Sequence, residues 1–253
     1  MCKSLLTNEP MSHPSPYLRA RSPEQKEERR RHLLDTAKSL LLDMPDVHDL
    51  GINELARRAE MTKSNVYRYF ESSEAVLLDV LVEEFVLWRT ELRKALSRGR
   101  KRSGTIEHIA RAFAATVTAR PLLCRLTSIF PSILERNISA ERMVEFKHGL
   151  LAVRKATALD FHACVPSIPA ASFDRCIHLA LPLLIGLWPL SHPAPVAAEV
   201  IELPELAALR YRLQHDLEEG LLMLLRGLPG ARAAEKAAVV QKRSVVESLP
   251  RSR

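Results

Sequence analysis

One short stretch of the chain is dense in side chains that donate hydrogen bonds. Residues 62–70 read Thr-Lys-Ser-Asn-Val-Tyr-Arg-Tyr-Phe. Hydroxyl, ammonium, amide and guanidinium groups are carried by its polar members, which are Thr62, Lys63, Ser64, Asn65, Tyr67, Arg68 and Tyr69. Groups of these kinds hydrogen-bond to phosphate oxygens and to the edges of nucleic-acid bases. The stretch therefore predicts recognition of a nucleic acid rather than catalysis.

The elements around this stretch predict a helix-turn-helix motif over residues 51–70. A short helix over residues 51–59 is followed by a tight corner at Glu60-Met61. Thr62 then caps a second helix, because its hydroxyl accepts from the free backbone N–H groups of the next turn. This arrangement places the second helix in a major groove. At 1.5 Å per residue that helix is roughly 13 Å long, enough to touch a few base pairs.

The second helix has a groove side and a core side. Lys63, Ser64 and Asn65 occupy its first turn, which points into the groove in helix-turn-helix proteins. We expect Lys63 and Asn65 to contact base edges or nearby phosphates, while Ser64 allows close approach. Val66 and Phe70 are four residues apart and are predicted to face the core.

Composition favours a helical protein with an acidic partner. The chain has 253 residues, of which 47% are hydrophobic, so one large domain or two modest ones are expected. Eight glycines and few β-branched runs favour helices over strands. An excess of Lys and Arg, 37 against 30 acidic residues, gives a net charge of +7 and weakly favours a polyanionic partner.

Cysteine usage and hydropathy indicate a protein of a reducing compartment, which predicts a cytoplasmic location. Four scattered cysteines make no disulfide framework in a chain of this length. The N-terminus has no signal-peptide pattern. The most apolar stretch, residues 177–190, is shorter than a membrane span and contains Pro182 and Pro189, so it predicts a buried helix.

The chain divides into four predicted parts. Residues 1–21 are predicted to be a disordered arm and residues 231–253 a disordered tail. Ser22 and Gln25 form a capping box, and Pro23 takes the first position of a helix that runs to about Leu42. One face of this helix carries Leu33, Leu34, Ala37, Leu40 and Leu41 and is predicted to be buried. The DNA-binding domain is predicted over residues 22–88 and a larger helical regulatory and dimerisation domain over residues 89–230. After a basic, glycine-bounded break at residues 98–104, helices are predicted over residues 105–119, 122–136, 139–163, 170–190 and 204–227.

Four consecutive segments carry a family resemblance. They are residues 31–41 (Arg-His-Leu-Leu-Asp-Thr-Ala-Lys-Ser-Leu-Leu), 52–59 (Ile-Asn-Glu-Leu-Ala-Arg-Arg-Ala), 61–70 (Met followed by the polar stretch) and 71–78 (Glu-Ser-Ser-Glu-Ala-Val-Leu-Leu). In content and order they resemble the first four helices of the TetR (tetracycline-repressor) family of transcription regulators. The resemblance extends over residues 29–88. It implies an all-helical regulator with an N-terminal helix-turn-helix domain and a larger helical ligand-binding and dimerisation domain.

The resemblance assigns further DNA contacts and shows three departures. It implies that Tyr67 contacts phosphate, and Arg68 and the Thr62 hydroxyl are expected to do the same. Gly51 stands where the family often has a Ser or Thr cap, and Ser73 stands where a Lys commonly reaches phosphate. Tyr69 replaces a usual His; both a DNA contact and a place in the core remain open for it. Arg29, Arg30 and Arg31 are further candidates for phosphates that flank the site.

A two-fold dimer is predicted because one such helix reads too few base pairs. The resemblance implies that the last two long helices pair between protomers. Apolar residues recur along them at three- and four-residue steps, namely Phe173, Ile177, Leu181 and Leu184 in one and Leu206, Leu209, Leu213, Leu217 and Leu221 in the other. Each stripe is equally compatible with filling the core of its own protomer.

The resemblance also implies an effector pocket in the second domain. Apolar candidates to line it are Phe113, Leu126, Phe130, Phe146, Leu150 and Trp188, each of which also suits a plain core position. A pocket built from them predicts a small hydrophobic effector, lipid-like or aromatic.

Catalysis, metal binding and cofactors are not predicted. The chain has no Gly-rich phosphate loop, no His-Glu-x-x-His and no nucleophile elbow. The pairs His162–Cys164 and Cys176–His178 are two residues apart, so on a helix they point away from each other and no metal site follows. We predict a repressor that a small molecule releases from a palindromic operator in double-stranded DNA. The alternative is a helical ligand-binding or interaction module that has lost specific operator binding.

Overall fold

The computed structural model describes residues 22–44, 47–98, 104–135 and 137–231, and in these ranges all regular structure is helical and no strand occurs. This confirms the predicted all-α fold. The predicted arm lies outside the described residues, as does the predicted tail apart from Ala231, which is helical and 1% exposed. The domain boundary between residues 88 and 89 stays a prediction.

The N-terminal helices start where local signals place them. Helix α1 (Pro23–Asp43) begins with the predicted capping box, in which Ser22 Oγ accepts from the Gln25 backbone N–H at 3.3 Å. A 3₁₀ turn (Val47–Asp49) precedes α2 (Ile52–Arg58), and α3 (Lys63–Val66) follows. The buried face of α1 is the predicted one and consists of Leu33, Leu34, Ala37, Leu40 and Leu41.

The remaining helices form a larger bundle. They are α4 (Ser73–Ser97), α5 (Ile106–Thr118), α6 (Pro121–Ile129), α7 (Ala140–Cys164), α8 (Ala170–Ser191), α9 (Pro195–Ile201) and α10 (Leu213–Arg226). Helix α4 packs against α1 on one side and against α5, α6 and α7 on the other. Its buried residues run from Ala75 to Leu96, so a single 25-residue helix contributes to the core at both ends of the molecule.

Edge-on aromatic rings join four helices of the bundle. Trp88 of α4 meets Phe113 of α5 with ring centroids 5.2 Å apart. Phe113 meets Phe161 of α7 at 6.4 Å, and Phe161 meets Phe173 of α8 at 5.7 Å. Edge-to-face pairs of this kind contribute about 0.5–1.5 kcal/mol each beyond their buried area. The Trp88 indole N–H also donates to Thr116 Oγ1 at 3.1 Å, so its polar atom is satisfied.

The prediction of one long helix over residues 204–227 is wrong for residues 204–212. Pro204–Leu209 winds as a 3₁₀ helix, and α10 begins only at Leu213. The Arg210 guanidinium donates to the backbone carbonyls of Ile201 and Glu202 at 2.8 and 2.7 Å, which ends the 3₁₀ helix and folds it back on α9. Leucines three residues apart suit a 3₁₀ helix as well as an α-helix, so their spacing did not reveal the break.

The helix predicted over residues 122–136 is also interrupted. Helix α6 ends at Ile129 and continues as a π-helical turn, Phe130–Leu134, in which Glu135 N–H donates to Phe130 O at 3.2 Å. Pro131 lies at the start of this turn. A proline inside a helix lacks an N–H and clashes with the carbonyl four residues earlier, so the backbone widens there.

Helix α8 is less buried than predicted. It has 22 residues with Pro182 and Pro189 inside it, and by length and hydropathy it would suffice to cross a membrane. It packs on α6, α7 and α10, yet only 28% of its most apolar window is buried within the chain. The described part of the chain therefore leaves an apolar face of α8 uncovered.

Candidate functional site

The polar stretch folds as a capped but very short helix. Thr62 Oγ1 accepts from the Asn65 N–H at 3.3 Å, which confirms the predicted cap. The α-helical part is four residues long rather than nine. Beyond Val66 the backbone bonds are mixed: Arg68 N–H donates to Asn65 O at 3.2 Å and Tyr69 N–H to Val66 O at 2.9 Å, each three residues back, while Phe70 N–H donates to Val66 O at 3.1 Å, four residues back.

Burial separates the polar members of this segment from its apolar members. Val66 is fully buried and Phe70 is 2% exposed, which confirms their predicted core positions. Thr62, Lys63, Ser64, Tyr67 and Arg68 are exposed, while Asn65 and Tyr69 are half-buried. Tyr69 packs against the core, so its ring has the structural role that the sequence left open. The five exposed side chains remain available to a polyanion.

The turn before the segment holds a residue in a strained conformation. Glu60 has a φ of 54°, the left-handed region that side chains with a Cβ rarely adopt. The conformation lets Met61 N–H donate back to Ala56 O at 2.9 Å, which closes the corner between α2 and α3. An L-residue held in this region costs roughly 1–2 kcal/mol.

A surface depression of about 320 Å³ lies beside the segment. It is formed where α2 and α4 begin, and Lys63 and Tyr67 form its α3 side. Two of the three departures from the family pattern line it: Gly51, which offers no hydroxyl, and Ser73, whose hydroxyl donates to Glu74 Oε2 at 3.2 Å. The carboxylates of Glu71 and Glu74 also line the depression, so it is a poor phosphate site as it stands.

Arg30 lies at the junction between the helix-turn-helix and the bundle. It pairs with Asp79 of α4, and its guanidinium lies 5.6 Å above the Phe70 ring. Arg142 of α7 pairs with the same carboxylate. Burial raises the pKa of the Asp79 carboxyl more than the two guanidiniums lower it. Arg30 is thus engaged within the protein, while Arg31 is exposed.

A second link at this junction comes from α6. Arg125 Nη1 donates to Leu41 O at 3.0 Å, and Nη2 donates to Met44 O at 2.8 Å. These carbonyls lie at the C-terminal end of α1, where backbone oxygens lack helical partners and carry partial negative charge. The Arg125 side chain therefore caps α1 from the neighbouring helix.

A cavity of about 300 Å³ lies inside the bundle between α4, α5, α7, α8 and the π-helical turn. Its wall is mainly apolar and includes three of the predicted pocket residues, Phe113, Phe130 and Leu150. The other three lie outside the lining: Leu126 and Phe146 are buried in the core, and Trp188 stacks on His192 with centroids 3.8 Å apart. Sequence reasoning missed Trp88 and the basic residues of the wall, which are Lys147, Arg154 and His178.

Most residues of the predicted dimer stripe point into their own protomer. Phe173, Ile177, Leu184, Leu217 and Leu221 are all at most 9% exposed. Ile177, Leu181 and Leu184 line the cavity, and Leu206 and Leu209 lie on the 3₁₀ helix rather than on α10. The uncovered apolar side chains of α8 and α10 lie elsewhere and include Leu179, Leu190 and Met223, which are 39%, 48% and 62% exposed.

The described cysteines are free thiols in apolar surroundings. Burial raises the pKa of Cys124 and of Cys176 to about 12. Burial also raises the pKa of Cys164, and the nearby Asp160 carboxylate adds to the shift. Because the thiolate is the reactive form, all three are poor nucleophiles at neutral pH.

Comparison with known families decides the placement of the chain. The family model for the tetracyclin repressor-like C-terminal domain matches residues 82–232, more than half of the chain. The chain belongs to the TetR family. This match lies almost entirely outside residues 29–88, on which the resemblance of the N-terminal helices rests. TetR-family membership makes the protein a transcription regulator of the helix-turn-helix class.

Several solved structures of regulators are similar to this chain at low sequence identity. The fatty acid degradation regulator FadR from Bacillus halodurans is 12% identical, with 81% of this chain and 97% of that chain covered and a TM-score of 0.48. A TetR transcriptional regulator from Rhodococcus sp. RHA1 is 13% identical, with 80% and 99% covered and a TM-score of 0.49. A tetR family regulator from Shewanella sp. PV-4 is 15% identical, with 78% and 95% covered and a TM-score of 0.43. A search of curated proteins gave no match.

Proposed function

We propose that this TetR-family protein is a sequence-specific DNA-binding repressor that acts as a homodimer and is released by a small molecule. One observation carries the DNA-binding part of the proposal: a capped segment that buries Val66 and Phe70 and exposes its hydrogen-bonding side chains. Lys63 and Asn65 read base edges, and Ser64 permits close approach of the backbone. Thr62, Tyr67 and Arg68 hold phosphates.

The test is binding to the DNA that flanks the protein's own gene, measured by mobility shift at several salt concentrations. Lys63→Ala and Asn65→Ala should each weaken specific binding by about 1–3 kcal/mol and leave non-specific binding nearly unchanged. Tyr67→Phe, which removes only the phosphate-binding hydroxyl, should weaken both kinds. Arg57→Ala is the matched control, because Arg57 is exposed on α2 and pairs with Glu54. If the Lys63 and Asn65 variants keep the parent's ratio of specific to non-specific DNA binding, the assignment of these two residues to base edges is wrong.

The homodimer in this proposal uses the apolar surface that one protomer leaves uncovered. That surface consists of the outer faces of α8 and α10 and continues into the segment that joins them. Within the segment, α9 and the 3₁₀ helix bury none of their residues, and Val196, Val200 and Leu203 are 74%, 47% and 46% exposed. A two-fold pairing of these faces removes apolar area from water and sets the distance between the two recognition segments.

The proposed release mechanism runs from the cavity to α1. Phe130 of the cavity wall directly follows α6, and α6 carries Arg125, which caps α1. An effector that packs against Phe130 shifts α6, and the cap transmits this shift to the helix-turn-helix. Effector binding then favours dimers whose recognition segments no longer fit the operator spacing.

The depression beside α3 supports a second candidate, a ligand-binding module without specific operator binding. Ser73 replaces a Lys, its hydroxyl is engaged by Glu74, and two carboxylates face the place where a phosphate would lie. The same mobility shift separates the two functions. Selective, salt-dependent complexes favour the repressor, and weak binding without sequence preference favours the module.

A further inference from the structure

The cavity has basic side chains in its wall and no carboxylate. Its lining includes Lys147, Arg154 and His178 beside apolar and aromatic residues, and neither Asp nor Glu is among the described residues that line it. All three basic residues belong to α7 and α8. The apolar positions in this part of the sequence predict a purely hydrophobic ligand, whereas the observed wall is amphipathic.

Two hydrogen bonds hold the Arg154 guanidinium in place, and its Nη2 edge keeps N–H donors without an acceptor among the described residues. Its Nε donates to Asp174 Oδ1 at 2.9 Å, and its Nη1 lies 3.1 Å from His178 Nδ1. A guanidinium has five N–H donors in a fixed plane. Within the described part of the chain, Nη2 makes no hydrogen bond. Because Nδ1 of His178 accepts from Arg154, the proton of the neutral ring lies on Nε2, which is a further donor.

Lys147 is engaged differently and marks the far end of the same wall. Its ammonium pairs with Glu135 and lies 5.1 Å from the centroid of the Phe130 ring. Lys147 and Arg154 are two helical turns apart on α7, roughly 10 Å along the axis, with Leu150 and Leu151 between them. The wall thus offers an apolar middle and an unfilled hydrogen-bonding edge at Arg154.

We propose that the effector is a small amphipathic carboxylate whose apolar body fills the aromatic part of the cavity and whose carboxylate binds the free edge of Arg154. This inference rests on the proposed effector role of the cavity. Arginine pairs with carboxylates through two parallel N–H···O bonds, and Nη2 of Arg154 keeps its N–H donors for such a pair. About 300 Å³ is at the small end of ligand pockets, so a medium-chain or aryl-alkyl acid fits the space better than a long acyl chain.

The test measures ligand binding to the full-length protein without DNA. Trp88 lines the cavity, so in a Trp188→Phe background its fluorescence reports on occupancy. The probes are octanoate and 4-phenylbutyrate, each compared with the alcohol of the same carbon skeleton. Both carboxylates should bind about tenfold to a hundredfold more tightly than their alcohols. Equal binding of acids and alcohols, or no binding of any probe, would overturn the proposal.

Substitution of the anchor completes the test. Arg154→Met should remove the preference for the acid while leaving alcohol binding within about twofold, because the methionine keeps the apolar contacts. Lys155→Met is the matched control, since it removes the same charge from the exposed neighbouring position of α7. Arg154→Lys, which keeps the charge without the paired donors, should give an intermediate preference and covers the case in which Arg154→Met does not fold. If folded Arg154→Met protein, or Arg154→Lys protein where Arg154→Met does not fold, prefers the acid over the alcohol as strongly as the Lys155→Met control does, the role of Arg154 is refuted.

The mobility-shift experiments and the ligand-binding measurement test separate hypotheses, and either can fail without the other. A protein that binds the acids but no operator contradicts the repressor and keeps the ligand assignment. A protein that binds its operator selectively but none of the probes contradicts the ligand assignment and keeps the repressor.

Discussion

Glu60 shows how one residue holds the corner of the helix-turn-helix at a cost. Glycine adopts a φ of 54° without a steric penalty, so Glu60→Gly removes the strain. Glycine also gives the unfolded chain more conformational entropy, which offsets part of this gain. The free energy of unfolding should therefore rise by about 0.5–1 kcal/mol. Glu60→Ala removes the same charged side chain but keeps the Cβ and with it the strain. Thermal unfolding at fixed protein concentration should therefore place the Gly variant about 1–4 °C above the Ala variant. Equal midpoints would show that the corner is relaxed.

Ser73 is the residue at which the electrostatics of the depression beside α3 can be reversed. A lysine there adds a cation between the Glu71 and Glu74 carboxylates and the proposed phosphate position. Ser73→Lys should raise DNA affinity and steepen the dependence of log K on log salt by about 0.9, the value for one added phosphate contact. Ser73→Gln, similar in length but uncharged, should leave the slope unchanged. If the slope of log K against log salt is the same for both variants, the DNA backbone does not pass this depression.

At the scale of elements, Arg125 joins α6 to the C-terminal end of α1. Arg125→Met removes two charge-assisted hydrogen bonds to carbonyls at the end of α1 and should cost about 1.5–3 kcal/mol of unfolding free energy. In the proposed mechanism it should also weaken the effect of a bound ligand on operator affinity while ligand affinity itself is retained. Arg111→Met, on α5 with a 68% exposed side chain paired to Glu218, is the control. Full ligand-induced release in Arg125→Met would exclude this route.

Elements specified by neighbouring residues were predictable from the sequence. The Ser22 capping box, the Thr62 cap and the buried face of α1 all depend on groups within four residues of one another, and the structure confirms them. The sequence did not reveal the helix breaks at Pro131 and at residues 204–212, because apolar residues, mostly leucines, keep their three- and four-residue spacing across both. The shortness of α3 depends on Phe70 turning into the core, which is a tertiary contact.

The candidate sites were predictable to very different degrees. Exposure of Lys63, Ser64 and Tyr67 follows from helical phase and was anticipated. The Arg30 pairing with Asp79 joins residues 49 positions apart, and the basic wall of the cavity depends on how α7 meets α8. An apolar stripe such as Ile177 and Leu184 looks the same in sequence whether it faces a cavity, a core or a partner.

At the scale of the whole molecule, the described residues leave large apolar side chains exposed on α8 and α10, among them Leu179 and Met223. In the proposed dimer, Leu179→Glu together with Met223→Glu puts charges into the interface, so the double variant should sediment as a monomer at concentrations where the parent is a dimer. Operator affinity should fall with it, because each half-site is then bound alone. Leu42→Glu, at a 70% exposed position on α1, is the control and should stay dimeric. A dimeric double variant would move the interface away from α8 and α10.

Helix α4 belongs to both ends of the molecule, and its length makes it a lever. Twenty-five residues span roughly 37 Å, and the helix runs without a break from the bundle to the residues beside α3. A tilt of about 5° at the bundle end displaces the other end by roughly 3 Å, close to the rise of one base pair along DNA. In the proposed mechanism, a ligand whose volume is small compared with the protein therefore changes the register in which two protomers meet a duplex, and no helix has to unfold.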